Sequence, residues 1–364
     1  MALLLVISAC SGSDSGDDSS GSADAFGSGA AFSIESALDE IPAAAANSAD
    51  GDYSIEITDL LAAGELVGAE RPTGSTDREA VFNWLGPITG LEESALYVPV
   101  PQELLGDMEQ IGEYREEVGF AVSDVDASVS LRAVPGSLVV LAGDLEVAAS
   151  LEDSGGVFTL GEGEDFEVDI DNRTAARQLG QPLRLSTSDG LVAMSASTDV
   201  VTSWADPDSE RLSADVDLLA VARALDDRSV VGARIVRGDF AWSDDSDDSG
   251  GSAAELIEGQ LPIRAPFDTI GLGWGVTDGA AAITVVYVFA DEAAAAAASA
   301  EIETALSTAE SLVFRGPISD IVVLGEVAAQ GSLVVATLTL PTGRPPSIVQ
   351  QMLLGRDAPF VHAS

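Results

Sequence analysis

Residues 283–307 read ITVVYVFADEAAAAAASAEIETALS, and this stretch decides the fold class. Its first part is an apolar run rich in β-branched and aromatic residues, with the length of a buried strand. Asp291 ends the run and is a suitable helix N-cap, and the alanines behind it are the strongest helix formers. Downstream, Ile321–Val327 and Ser332–Leu340 read as a hairpin, and upstream Thr269–Val276 reads as a strand paired with Ile283–Ala290. The order strand, helix, hairpin is also read earlier, in SLVVLAGDLEVAASL (137–151) followed by LRLSTSDGLVAMSAS (183–197). Asp189-Gly190 in the latter is a strong hairpin signal. The expected architecture is therefore α+β. Two similar lobes of antiparallel sheet carry helices packed on one face, and the repeated order fits an internal duplication.

Other segments fill in the lobes. Leu104, Leu105, Met108, Ile111 and Val118 are spaced for one face of a helix over Pro101–Gly119. Phe166, Val168 and Ile170 alternate with Glu167, Asp169 and Asp171, the pattern of a half-buried strand. Helices are expected around Asp199–Ala205 and Val216–Leu225, and a strand at Val230–Arg237. The stretch SDDSDDSGGS (243–252) is acidic and rich in Gly and Ser, as in an exposed loop or linker. The expected boundaries are a first lobe at 53–242, a linker at 243–254 and a second lobe at 255–364.

Composition narrows the chemistry. The chain has 364 residues, 46% of them hydrophobic but only 5% aromatic, so its cores should be built from small residues at close approach. Against 61 acidic residues stand 16 basic ones, all Arg, for a net charge of -45. That charge repels phosphate backbones and anionic headgroups, so nucleic acid is excluded as a partner. One Cys rules out an intrachain disulfide and a multi-cysteine metal site. The single His, His362, lies two residues from the end, so a His-dependent triad would depend on that residue alone.

The N-terminus carries the sharpest signal. Residues 1–10 read MALLLVISAC, an apolar run closed by small residues and Cys10. Ile7-Ser8-Ala9-Cys10 resembles the lipobox of bacterial lipoproteins. The resemblance implies a signal peptide over 1–9 and a diacylglycerol thioether on Cys10, which becomes the first residue of the mature protein. The stretch from 11 to 29, SGSDSGDDSSGSADAFGSG, opens a tether expected to run from 10 to 52 and to hold a domain off a surface. No Arg precedes Cys10 and the apolar run is short, departures from a full secretory signal. A start assigned too far downstream, truncating the signal, accounts for both. Two or more acyl chains suffice for stable anchoring. The chain is also similar to actinobacterial lipoproteins of unassigned function, through the tether, the segment RTAARQLGQPLRL (Arg173–Leu185) and a C-terminal sheet with an Ala-rich helix. That similarity implies a location at the cell envelope, on the extracytoplasmic face of the cell membrane, rather than an activity.

Tests for chemistry give little. Asp244–Gly250 fits an EF-hand loop in neither register, because one places Leu256 at the bidentate position and the other loses the turn glycine. Gly271-Leu-Gly-Trp-Gly275 lacks the dinucleotide spacing and reads as glycines packing within a sheet. Glu162, Glu164, Asp165 and Glu167 form the densest carboxylate cluster, read as a charged turn rather than a glycosidase pair. Trp84, Trp204, Trp242 and Trp274 read as packing residues. No catalytic residue, cofactor or metal ligand is assigned. The expectation is a membrane-tethered, non-enzymatic module that binds a small ligand or an envelope protein. The alternatives are a carboxylate-dependent hydrolase of envelope polymers and a solute-binding lipoprotein of a transporter.

Overall fold

The computed structural model describes residues 26, 32–48, 51–91, 94–106, 108–242 and 262–363. The fold is α+β, built on one antiparallel sheet. Its strands are β1 (Tyr53–Asp59), β2 (Val125–Ala133), β3 (Gly136–Gly143), β4 (Glu152–Ser154), β5 (Val157–Leu160), β6 (Leu183–Ser188) and β7 (Leu191–Ser195). They continue with β8 (Gly232–Arg237), β9 (Phe267–Thr277), β10 (Ala280–Phe289), the two-residue pair β11 (Glu310–Ser311) and β12 (Gly316–Pro317), β13 (Val323–Gln330) and β14 (Leu333–Thr339). Leaving aside β11 and β12, which form their own ladder, the sheet has 12 strands in the order β13-β14-β10-β9-β8-β1-β2-β3-β7-β6-β5-β4. The two expected lobes thus share one sheet. They meet where β8 pairs with β9, from Gly232 opposite Trp274 to Arg237 opposite Thr269.

Alternation along the strands gives the sheet two apolar faces, and helices cover both. On one face lie α2 (Leu60–Val67), α3 (Arg78–Ile88), α4 (Gln102–Leu105) and α5 (Ile111–Val118), with the later helices over Glu292–Thr308 and Ile348–Leu354. On the other lie α1 (Ile34–Asp39), α6 (Thr198–Ala205) and α7 (Val216–Asp226). This differs from the expected helices on one face. A strand in the middle of the sheet, such as β2 with Val129 and Leu131 buried on one side and Ser128 and Ser130 on the other, needs cover on both.

The expected tether is shorter than 10–52, because α1 is packed. Ser33 caps it in a reciprocal box with Ser36. Its backbone N–H groups at Ile34 and Glu35 donate to Asp226 on α7, at 2.7 and 3.1 Å. Ile34, Ala37 and Leu38 are buried. A segment that reads as linker thus packs against α7 through Ile34, Ala37 and Leu38.

Three other expectations change. The helix over Pro101–Gly119 is two helices, because Gly106 has φ +44° and breaks the first after one turn. Phe166–Ile170 is not a strand. Phe166 has φ +64°, the chain turns at Ile170–Asn172, and Val168 and Ile170 are exposed. The strand–helix–hairpin order holds for β10, Glu292–Thr308 and β13–β14, but after β3 the hairpin β4–β5 stands where a helix was expected. The hairpin at Asp189-Gly190 forms as expected, with φ +50° and +81°, the left-handed pair of a type I′ turn. Asp291 caps its helix by accepting from the Ala294 N–H at 2.8 Å. Gly271 and Gly273 on β9 admit α7: a Cβ at Gly271 would stand 2.5 Å from Val221, and one at Gly273 2.8 Å from Leu225.

Across the middle of the helix-rich face runs a polar strip. Ser130, Glu56 and Arg234 are consecutive partners across β2, β1 and β8, and Ser128 lies opposite Thr58. Glu56 and Arg234 form an ion pair with side chains only 9% and 12% exposed. Thr58 donates to the Pro99 carbonyl, and Val98 lies over Gly232, where a Cβ would stand 2.7 Å from its Cγ1.

Candidate functional site

The segment quoted above as RTAARQLGQPLRL forms the wall of a groove. It is held by its own chemistry. Arg177 donates to the carbonyls of Asn172 at 2.7 Å and Gly180 at 3.1 Å, tying the loop around its guanidinium. Glu117 on α5 accepts from the Thr174 hydroxyl at 2.8 Å and the Ala176 N–H at 2.9 Å. The same segment packs against the turn at Gly106, whose Cβ position lies at ordinary contact distance, 3.5 Å, from Ala175 O and Gln178 Nε2. The loop is thereby fixed across the ends of β2, β3 and β7.

Between this wall and α4 lies a cavity of about 320 Å³. Gln102 and Glu103 form its far side, and Arg132, Ser137, Met194 and Ser195 its floor. A second recess, of about 580 Å³, is bordered by Gln110, Glu113, Glu117 and Arg173 and shares Ala175 and Gln178 with the first. Of the eight glutamines in the chain, Gln102, Gln110, Gln178 and Gln181 line these two hollows, which makes their surface rich in neutral donors and acceptors. The groove's charged residues are Glu103, Arg132 and Arg177, a small positive excess within a chain of net charge -45. Arg132 and Glu103 make one contact, at 3.4 Å, with side chains 40% and 30% exposed.

The expected carboxylate cluster lies beside the groove and supports it. Asp165 accepts from Arg184 Nε at 3.0 Å and from the Thr198 N–H and hydroxyl at 2.6 and 2.9 Å, clamping the loop to β6 and to the start of α6. Burial raises its carboxyl, but the Thr198 N–H and Arg184 outweigh this and hold it below its ordinary value. Glu167 accepts from the Glu164 N–H at 3.0 Å, and Glu162 is exposed. These groups hold a turn together, as the charged-turn reading has it. A carboxyl with a lowered folded pKa stabilises the fold above its unfolded pKa, and the contribution is lost as pH falls through the folded value. Asp165→Asn is therefore expected to flatten the acid side of the stability profile. Urea midpoints below about pH 4 should fall less steeply in the variant than in the parent.

The carboxyls pushed above their ordinary values lie elsewhere. Burial is the first cause at Glu40, Asp59, Asp217 and Asp226. Asp59 caps α2 and Asp226 receives α1, so these two have structural partners. His362 is buried with its ring 5.1 Å from Phe267, in the packing of the C-terminal end. Trp84, Trp204 and Trp274 are buried, and Trp242 packs against the core. Cys10 with Ile7-Ser8-Ala9, the start of the tether and the linker 243–254 with its acidic loop lie outside the described residues.

Sequence reading singled out Arg173–Leu185 but gave it no role. The signal that could have found the groove is compositional: glutamines and arginines gathered in a chain otherwise acidic, next to glycines that break a helix pattern.

No protein-family profile matches the chain, and no curated protein matches it. A solved structure titled "Structure of crystal form I of TP0453" is similar over 87% of this chain and 97% of that one, at 8% identity and a TM-score of 0.30. A likeness that weak carries no argument about fold or function.

Proposed function

We propose that the chain is a lipid-anchored module of the cell envelope that binds a small polar ligand in the groove between α4 and Arg173–Leu185, without catalysing a reaction on it. The observation that carries the binding part is the groove itself. It has a fixed wall and a lining of amides, hydroxyls and one ion pair, together with apolar contact at Leu183 and Met194. Its volume of about 320 Å³ lies at the lower end of the ~300–1,000 Å³ range of small-molecule sites. The hydrolase alternative gains no support from the carboxyls raised by burial, since Glu40, Asp59, Asp217 and Asp226 do not line the groove. A hinged solute-binding arrangement is disfavoured by the β8–β9 pairing, which joins the two halves into one sheet.

The anchoring part rests on Ile7-Ser8-Ala9-Cys10 and the Gly/Ser/Asp segment behind it. Among the described residues no helix is long and apolar enough to cross a membrane. Cys10→Ser should move the protein from the membrane fraction to the soluble fraction of its own cells. A variant that stays with the membranes, resisting carbonate and salt washes, would contradict lipid anchoring at that residue.

A further inference from the structure

We infer that the groove takes a small zwitterion, a free amino acid or short peptide, with its carboxylate on Arg132 and its ammonium on Glu103. The inference rests on reading the groove as a ligand site and names the class of that ligand.

Two charges in the groove are available to a ligand. Arg177 is committed to the carbonyls of Asn172 and Gly180. Arg132 and Glu103 are not committed to this degree. Their contact is a single one of 3.4 Å, beyond the usual 2.7–3.2 Å range of an N–H···O bond, and it uses one edge of a guanidinium built for two-pronged binding. Both side chains keep substantial exposure at the groove. A partly exposed ion pair of this kind contributes little to stability, so opening it to admit a ligand costs little.

The charge of the whole chain then selects among ligands. A net charge of -45 repels an anion at long range and attracts cations to the surface generally. A zwitterion has no net charge to be repelled, and it replaces both partners of the Arg132–Glu103 pair at once, leaving neither charge unpaired. The lining agrees with this class. Gln102, Gln178 and Gln181 can meet a peptide amide, and Leu183 and Met194 can meet an aliphatic side chain. Among the described residues lining the groove none is aromatic, so the stacking platform that would favour a sugar ring or a base is not provided.

The test is calorimetric titration of the full chain with the twenty amino acids and dialanine. For each amino acid that binds, its N-acetyl, amide and N-acetyl-amide derivatives are then compared. At least one zwitterion should bind, and blocking either its ammonium or its carboxylate should weaken binding by about tenfold or more. Arg132→Gln and Glu103→Gln should each cause a similar loss while far-ultraviolet circular dichroism stays that of the parent, because both side chains are partly exposed and their ion pair contributes little to the fold. A doubly blocked derivative that binds as tightly as its free amino acid would overturn the inference and leave the groove a ligand site. If no zwitterion binds, the inference fails. If, in addition, protein taken from its own membranes carries no small-molecule mass, the groove reading fails with it.

Discussion

Glu56→Ala should destabilise the protein by about 3–5 kcal/mol, the cost of leaving a buried cation without its partner. Glu56 on β1 faces Arg234 on β8 in the middle of the sheet. Burial pushes the Arg234 guanidinium down to about 10, so at neutral pH it remains charged when its partner is removed. The neighbours across the strands are neutral hydroxyls, Ser128 and Ser130 buried and Thr58 engaged with Pro99, so none of them replaces the lost charge. The informative companion is the double replacement Glu56→Leu with Arg234→Met. Exchange of a buried pair for apolar side chains is often neutral or stabilising, so the double variant should recover most of the loss. Urea midpoints for the parent, the single and the double variant measure this. A single variant within about 1 kcal/mol of the parent would mean that the strip is far better hydrated than its burial indicates.

Gly180→Ala should have the second largest effect, and should act on the groove as well as on stability. Gly180 has φ +70°, and a Cβ there would stand 1.6 Å from the Asp169 carbonyl oxygen. The obstacle is backbone, which cannot rotate away as a side chain would. The loop closed by Arg177 must therefore open, with a loss of about 2–4 kcal/mol and of ligand binding together. Gly155→Ala separates strain from clash. Gly155 has a similar φ of +68°, but nothing lies within 4 Å of where its Cβ would stand, so only the cost of a left-handed alanine, about 1 kcal/mol, is expected. Equal losses in the two variants would show that the crossing at Asp169 does not fix the wall.

Much of the fold was legible because local patterns and global packing agree. The hairpin at Asp189-Gly190, the Asp291 cap and the helices near 199–205 and 216–225 were read from residues that act within one turn or one pair of strands. The failures have a different origin. The short α1 lies within a stretch that resembles linker by composition, and the burial of Ile34, Ala37 and Leu38 against α7 is what distinguishes it. Alternation at Phe166–Ile170 signalled a strand, but the ties of Arg177, Asp165 and Arg184 impose a turn-rich loop that alternation does not reveal. The joining of two lobes into one sheet depends on β8 meeting β9 across a long segment, and strand periodicity does not encode which strands are neighbours. The groove was invisible for the same reason: Gln102, Arg132 and Gln178 are far apart in the chain and meet only through topology.

The most direct measurement is native mass spectrometry of the protein purified from its own membranes in mild detergent, with the Gly180→Ala variant beside it. The expected mass begins at Cys10 and includes at least two acyl chains, with a further non-covalent mass of a few hundred daltons or less on the parent and not on the variant. A chain still beginning at Met1, without acyl groups and without a bound small molecule, would contradict both the anchor and the groove as a binding site.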